Sequence, residues 1–213
     1  MSQKRPPIVV VMGHVDHGKT TLLDYIRKTS IASREAGGIT QSIGAYEIEH
    51  NGQKITFIDT PGHEAFSCMR EHGAKIADLA ILVIAADDSV KPQTKDALKC
   101  ILESKTPYIV AVNKIDAPGA NIEKVKSDLS QIGVYLEGYG GNISWHAISA
   151  KNGEGVSELL DLILLATDME NLAYDENLVA EGIVLTSRLE NRRGNIVSVI
   201  IKNGALKKNS YIA

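Results

Sequence analysis

The octapeptide Gly13-His14-Val15-Asp16-His17-Gly18-Lys19-Thr20 constrains the fold more than any other stretch, because the apolar run Ile8–Met12 precedes it and a helix-forming segment follows at once. A strand entering a glycine-rich turn that opens into a helix gathers backbone N–H groups and the positive end of the helix around one anion. In that setting Lys19 reaches the outer phosphates of a nucleoside triphosphate and the Thr20 hydroxyl is placed to hold magnesium. Val15, Asp16, His17, Gly18 and Thr21 belong to the same loop and first helical turn, and are candidate nucleotide contacts. The motif is a phosphate loop, and it does not choose a base.

The rest of the chain alternates in a way that suits such a loop. Short β-rich apolar runs recur at Ile8–Met12, Ala45–Ile48, Ile55–Ile58, Leu79–Ala86, Tyr108–Val112 and Ile143–Ile148. Segments of helical length lie between most of them, at Thr20–Lys28, Glu64–Ala77, Gln93–Ser104, Ile122–Ile132 and Val156–Thr167. Such alternation predicts an α/β fold, a mostly parallel six-stranded sheet with helices on both faces. The dipeptide Asn51-Gly52 favours a type I′ hairpin, so one edge strand is expected to run antiparallel and the sheet to be mixed.

After Thr167 the pattern changes. A polar connector, residues 168–178, leads into Val- and Ile-rich runs at Glu181–Leu185 and Ile196–Lys202, separated by the turn Asn191–Asn195. The expected division is therefore a nucleotide-binding domain over 1–167, a linker over 168–178, and over 179–213 the N-terminal part of a truncated β-barrel domain. So few strands cannot bury a core of their own.

Composition narrows the setting. The 213 residues are 44% hydrophobic and 23% charged, and no apolar run approaches the roughly 18 residues of a membrane helix. A cytoplasmic protein, monomeric and without membrane contact, is expected. Cys68 and Cys100 have no partner at metal-ligand spacing and read as reduced thiols. His14 and His17 lie inside the phosphate loop at a spacing that gives no zinc pattern. Net charge is −3, but the segment from Arg188 to Lys208 carries +5 against −8 for the remainder. That basic cluster is either a solvated surface or an RNA-facing patch.

Base choice rests on Asn113-Lys114-Ile115-Asp116, directly after the fifth run, where a parallel sheet presents its loops to a ligand. Guanine offers two donors, the ring N1–H and the exocyclic amine, and the Asp116 carboxylate can accept both, whereas adenine presents an acceptor there. The Lys114 stem can cover the base and Asn113 can tie loops together. Ser149-Ala150-Lys151, after the sixth run, supplies a backbone N–H at Ala150 that could meet the guanine carbonyl. Together these loops point to GTP and GDP.

A sensor of the third phosphate is the remaining requirement, and Gly37-Gly38-Ile39-Thr40 and Asp59-Thr60-Pro61-Gly62-His63 fit it. Thr40 can donate its hydroxyl oxygen to the magnesium shell, Asp59 can bind a metal-bound water, and the Gly62 N–H can bond the γ-phosphate. His63 can orient the attacking water as a neutral imidazole or assist as a cation beside the phosphate. Three other readings share parts of this pattern: His63 and Thr40 speak against a non-hydrolysing nucleotide module, Asp116 against a small-substrate kinase, and the segment Glu35–Gln41 fits poorly with the GTPase subunit of another ribosomal or sulfate-activating enzyme.

These residues resemble the translational GTPase family, with its Gly-His-Val-Asp-His-Gly-Lys-Thr phosphate loop and Asp-x-Pro-Gly-His sensor. Within it, Glu35–Gln41, Phe57–His63, and Leu82–Asp88 with Pro92-Gln93-Thr94 look like the bacterial initiation-factor branch. The resemblance covers Ile8 to Ala213. It implies a P-loop GTPase fold followed by the start of a β-barrel, and slow hydrolysis that the ribosome stimulates. Both ribosomal subunits, ribosomal RNA and, through domains beyond this chain, initiator tRNA are the implied partners. It further implies that His63 acts on the ribosome, that Val15 and Ile39 flank it as an apolar gate, and that Asp16 holds a monovalent cation. Departures are local: Ser89 stands where Gly is usual, and Asn209-Ser210 where Gly-Asp is usual.

Overall fold

The computed structural model describes residues 3–32, 45–58, 74–190 and 194–210, and of residues 29–32, 186 and 188 the backbone only. In chain order the elements are β1 (Gln3–Lys4), β2 (Ile8–Gly13), α1 (Lys19–Ala32), β3 (Ala45–His50), β4 (Gln53–Ile58), β5 (Leu79–Ala85), α2 (Pro92–Ser104), β6 (Tyr108–Asn113), α3 (Ile122–Gln131), β7 (Trp145–Ala147), α4 (Val156–Asp168), β8 (Ala173–Tyr174), β9 (Glu181–Glu190) and β10 (Gly194–Asn203). Of the helix expected over 64–77, residues 64–73 lie outside the described residues and 74–76 are helical.

Six strands form one sheet in the order β3-β4-β2-β5-β6-β7. All neighbours run parallel except β3 and β4, which are antiparallel. Their turn places Asn51 at φ 50° and Gly52 at φ 74°, the positive pair that a type I′ hairpin requires. The sheet is thus mixed in the way the sequence predicts. Its last strand is shorter than Ile143–Ile148, because Ile143 is drawn off into a bridge with Leu136.

Strand alternation sorts the core into two layers. Ile8, Val10 and Met12 face α2 and α3, where Leu98, Ile101, Val125 and Leu129 are buried. Val9 and Val11 face α1 and α4, where Leu22, Ile26, Leu159 and Ile163 are buried. Local signals end the helices. Pro92 opens α2, where its missing N–H costs nothing, and Lys105 closes it at φ 56°. Asn121 caps α3 by accepting the Lys124 N–H at 2.9 Å.

The connector after α4 is tied back to the chain start. β8 pairs antiparallel with β1, the Arg5 N–H donates to the Leu172 carbonyl at 3.0 Å, and Lys4 pairs with Asp168. Arg5 also forms a two-pronged ion pair with Asp78, at 2.9 and 2.8 Å, and Asp78 accepts the Ile8 N–H at 2.8 Å. That pair fixes where β2 enters the sheet. β9 and β10 form a separate antiparallel pair with a bulge near Ser198 and Val199. Ile200 is buried in the layer that holds α2 and α3, while Val184, Leu189 and Val197 are exposed. Among the described residues no helix is long and apolar enough to cross a membrane.

Candidate nucleotide site

Parallel strands that leave the sheet in the same direction bring their following loops together at one edge. β2 delivers the phosphate loop, β5 the loop 86–91, β6 the loop from Asn113, and β7 the loop from Ser149. Two glycines make this convergence possible. A Cβ at Gly13, which has φ 140°, would lie 2.3 Å from the Val83 carbonyl oxygen on the neighbouring strand. At Gly18, with φ 85°, it would lie 2.3 Å from Asn113 Nδ2. A side chain at either position would push the loop off its neighbour.

Asn113 is the tie between the loops. It is 1% exposed; its Nδ2 donates to the His17 carbonyl at 2.9 Å, and its Oδ1 accepts the Ala150 N–H at 2.9 Å. One buried amide thus joins phosphate loop, base loop and the loop after β7. The expected availability of Ala150 needs correction, because its N–H is already spent on Asn113 rather than pointing at a ligand.

Two adjoining cavities open at this edge. One, of about 360 Å³, is lined by Gly18, Thr21, Asn113, Lys114, Asp116 and Lys151 together with Ala117, Pro118 and Ala150. The other, of about 480 Å³, is lined by Val15, Asp16, Gly18, Lys19, Thr20, Thr21 and Lys114. Gly18, Thr21 and Lys114 belong to both, so the two are one cleft with a base-sized end and a phosphate-loop end. Ala117 and Pro118 are lining residues that the motif reading did not nominate, although they directly follow it.

Charge is arranged along the cleft. Ser149 Oγ donates to Asp116 Oδ1 at 2.6 Å, and this bond holds the Asp116 carboxyl below its ordinary range, so it is ionised and an acceptor. Lys114 sits at φ 63° with Nζ 3.8 Å from Asp87 Oδ2, laying its stem along the cleft. Lys19 is buried, and its Nζ donates to the carbonyls of Gly13 at 2.8 Å and His14 at 2.5 Å. Asp16, at φ 64°, is exposed at the phosphate-loop end. Thr20 offers a hydroxyl oxygen there, a donor suited to a hard cation such as magnesium. Thr40, Asp59, Gly62 and His63 lie outside the described residues.

Several contacts were not legible as site features. Gln93 Oε1 accepts the Val15 N–H at 3.1 Å and lies 2.6 Å from His14 Nδ1, so the start of α2 braces the phosphate loop. His17 is 1% exposed, and burial brings its pKa down to about 4 despite the opposing pull of the Val83 carbonyl. The imidazole is neutral at physiological pH. Ser89, at φ 63°, is held by its hydroxyl donating to Asp128 Oδ2 at 2.6 Å, which compensates for a side chain where the backbone favours glycine.

Known proteins match nearly the full length of the chain. Residues 4–168 match the family model of the elongation factor Tu GTP binding domain. The chain is 52% identical over 210 residues to translation initiation factor IF-2 of a Nitratiruptor species, covering 99% of this chain and 25% of that protein. It is 53% identical over 204 residues to translation initiation factor IF-2 of Pelotomaculum thermopropionicum, covering 96% of this chain and 21% of that protein. The chain thus spans about a quarter of the length of these relatives. Among solved structures it is similar to GDP-bound aIF5B from Aeropyrum pernix, with a TM-score of 0.75 and 34% identity over 95% of this chain and 42% of that one. The apo form of translation elongation factor SelB from Methanococcus maripaludis aligns with a TM-score of 0.70 and 28% identity, over 95% of this chain and 43% of that one.

Proposed function

The chain belongs to the elongation factor Tu GTP-binding domain family, in its translation initiation factor IF-2 branch, and on that premise we propose that it binds GTP and GDP and hydrolyses GTP during translation initiation. The observation that carries this reading is the single cleft in which Asp116 stands at one end and Lys19 and Thr20 at the other, joined by Gly18, Thr21 and Lys114.

Each residue has a role that follows from its chemistry. Asp116 accepts the N1–H and exocyclic amine of guanine, and Ser149 keeps it ionised and oriented for that task. The Lys114 stem covers one face of the base, and Lys151 borders the same end. The N–H groups of residues 15–21 surround the phosphates at the start of α1, where the helix dipole favours negative charge. Lys19 exchanges its carbonyl partners for the terminal phosphates, the stronger acceptors. Thr20, Thr40 and Asp59 are the residues that would hold magnesium, which when bound offsets charge on the terminal phosphates. Asp16 would hold a monovalent cation beside them.

His63, Gly62 and Thr40 act at the γ-phosphate, where His63 places the attacking water once the ribosome completes the site. Intrinsic hydrolysis is slow, since phosphoryl transfer depends on positioning and charge that the isolated domain lacks. Both ribosomal subunits and ribosomal RNA are the partners. Subunit joining and placement of initiator tRNA are the output, the latter through further domains. Residues 179–213 begin a β-barrel domain after the connector 168–178, and the protein works as a cytoplasmic monomer.

Phosphate release from GTP and from ATP, measured with and without assembled bacterial ribosomes, tests this reading. Slow turnover of GTP alone that ribosomes accelerate supports it. Tight GTP binding with no acceleration by any ribosomal state reduces the chain to a binding module, and ATP turnover removes the account of base choice.

A further inference from the structure

Beside the cleft, but lining neither of its ends, the phosphate loop and the loop after β5 bring two imidazoles and a carboxylate together. His17 Nδ1 lies 3.3 Å from the Val83 carbonyl oxygen. A carbonyl only accepts, so Nδ1 carries the proton and Nε2 presents its lone pair. That Nε2 is buried and, among the described residues, has no hydrogen-bond partner. It faces Asp88 Oδ2 at 3.6 Å, an acceptor opposite an acceptor and too long for a direct hydrogen bond.

The two neighbours are set in the same manner. Gln93 Oε1 accepts the Val15 N–H, so it also accepts from His14 Nδ1, which leaves His14 Nε2 as the basic nitrogen. Lys91 Nζ holds Asp88 Oδ1 at 2.7 Å, leaving Oδ2 turned toward His17. One ring nitrogen from each histidine and one carboxylate oxygen lie within 4.8 Å of one another. The imidazole rings stand nearly edge to face, with centroids 4.9 Å apart and an interplanar angle of 75°.

We propose that His14, His17 and Asp88 form a binding site for Zn²⁺ or a similar late first-row divalent cation, with the remaining position open to water. Two ligands about 2.0–2.1 Å from a tetrahedral ion stand roughly 3.3 Å apart, so the 3.6 Å between His17 Nε2 and Asp88 Oδ2 needs only a few tenths of an ångström of adjustment. Imidazoles that donate their other N–H to a carbonyl or amide oxygen are oriented as metal-ligating histidines are. Two nitrogen donors disfavour magnesium, so this site is distinct in chemistry from the oxygen ligands at Thr20. The spacing of His14 and His17 alone gives no such pattern, because the third ligand comes from another loop. A bound ion cross-links that loop to the phosphate loop.

The test uses nucleotide-free protein titrated with Zn²⁺ alone by calorimetry and with Co²⁺ alone by visible absorption. The expected result is one ion per chain and the intense d–d bands of a low-coordinate Co²⁺ centre. Asp88→Asn, at a side chain that is partly exposed and whose loss is tolerable to the fold, is expected to weaken binding at least about tenfold, and Gln93→Ala roughly 10- to 100-fold. Guanine-nucleotide affinity of Asp88→Asn, measured in parallel without Zn²⁺, is expected to match the parent and so reports an intact phosphate loop. Absence of saturable binding, or binding of equal strength in Asp88→Asn, overturns the proposal.

Discussion

Asn113 donates through its side-chain amide to the carbonyl oxygen of His17 across 2.9 Å, and the other end of the same amide accepts the Ala150 N–H. Three loops that meet a ligand are therefore held by one buried group. Asn113→Ala leaves a buried acceptor and a buried donor unsatisfied, each costing about 1–3 kcal/mol. Chemical denaturation is expected to show a lower midpoint with an unchanged slope, and GTP affinity is expected to fall with it. A midpoint equal to the parent's would mean that water replaces the amide at both ends.

Gly18→Ala attacks the same tie from the opposite side. The added methyl would sit 2.3 Å from Asn113 Nδ2, at a residue whose φ is 85°. The backbone conformation alone costs about 1–2 kcal/mol for a residue with a Cβ. Because relief of the clash requires moving the amide, nucleotide affinity is expected to drop by more than about tenfold, the share of about 1.4 kcal/mol. Titration with a fluorescent GDP analogue reads this directly, and retained affinity would show that the phosphate loop works without the Asn113 contact.

Burial of His17 makes stability depend on pH in a defined direction. Its folded-state pKa, about 4, is below the ordinary 6.5, so the unfolded chain binds the proton more readily. Stability contributed by this group is fully present above about pH 6.5 and is lost as pH falls toward 4, by up to about 3 kcal/mol. The imidazole signals of metal-free protein followed by NMR should titrate near pH 4, and a His17 midpoint near its ordinary value would sink the prediction.

Much of the sheet could be read from the chain, because strands buried on both faces declare themselves as runs such as Ile8–Met12 and Leu79–Ala86. The hairpin at Asn51-Gly52 was legible for a local reason, the two positive φ angles that those residues tolerate. Ile143 was not, since its bridge to Leu136 competes with the sheet and leaves no periodic mark. The pairing of β1 with β8 was hidden as well, because two-residue strands from opposite ends of the chain carry no pattern. In the cleft, motif residues that each follow a strand's end converge by topology. Asp88 and Gln93 stand in stretches that carry the family resemblance, but their contacts were not legible there, because these depend on what the fold places beside them, His17 and His14.

Asp116→Asn separates base recognition from everything else in the cleft. The carboxylate presents two acceptors to the two donors of guanine, while an asparagine presents one acceptor and one donor. Xanthine matches that altered pair, since it keeps the ring N–H but carries a carbonyl where guanine has its amine. The Ser149 hydroxyl can still donate to the side-chain oxygen, so the loop geometry survives the change. GTP affinity is expected to fall roughly 100-fold or more, equivalent to about 3 kcal/mol from a lost charge-assisted bond and an opposed donor. XTP affinity should rise in the same variant. Competition of GTP and XTP against a fluorescent guanine nucleotide for the parent, and against a fluorescent xanthine nucleotide for the variant, measures both. If GTP binds both proteins equally, Asp116 does not read the base, and the cleft's selectivity has to come from other groups that line its base end, such as Lys114 and Lys151.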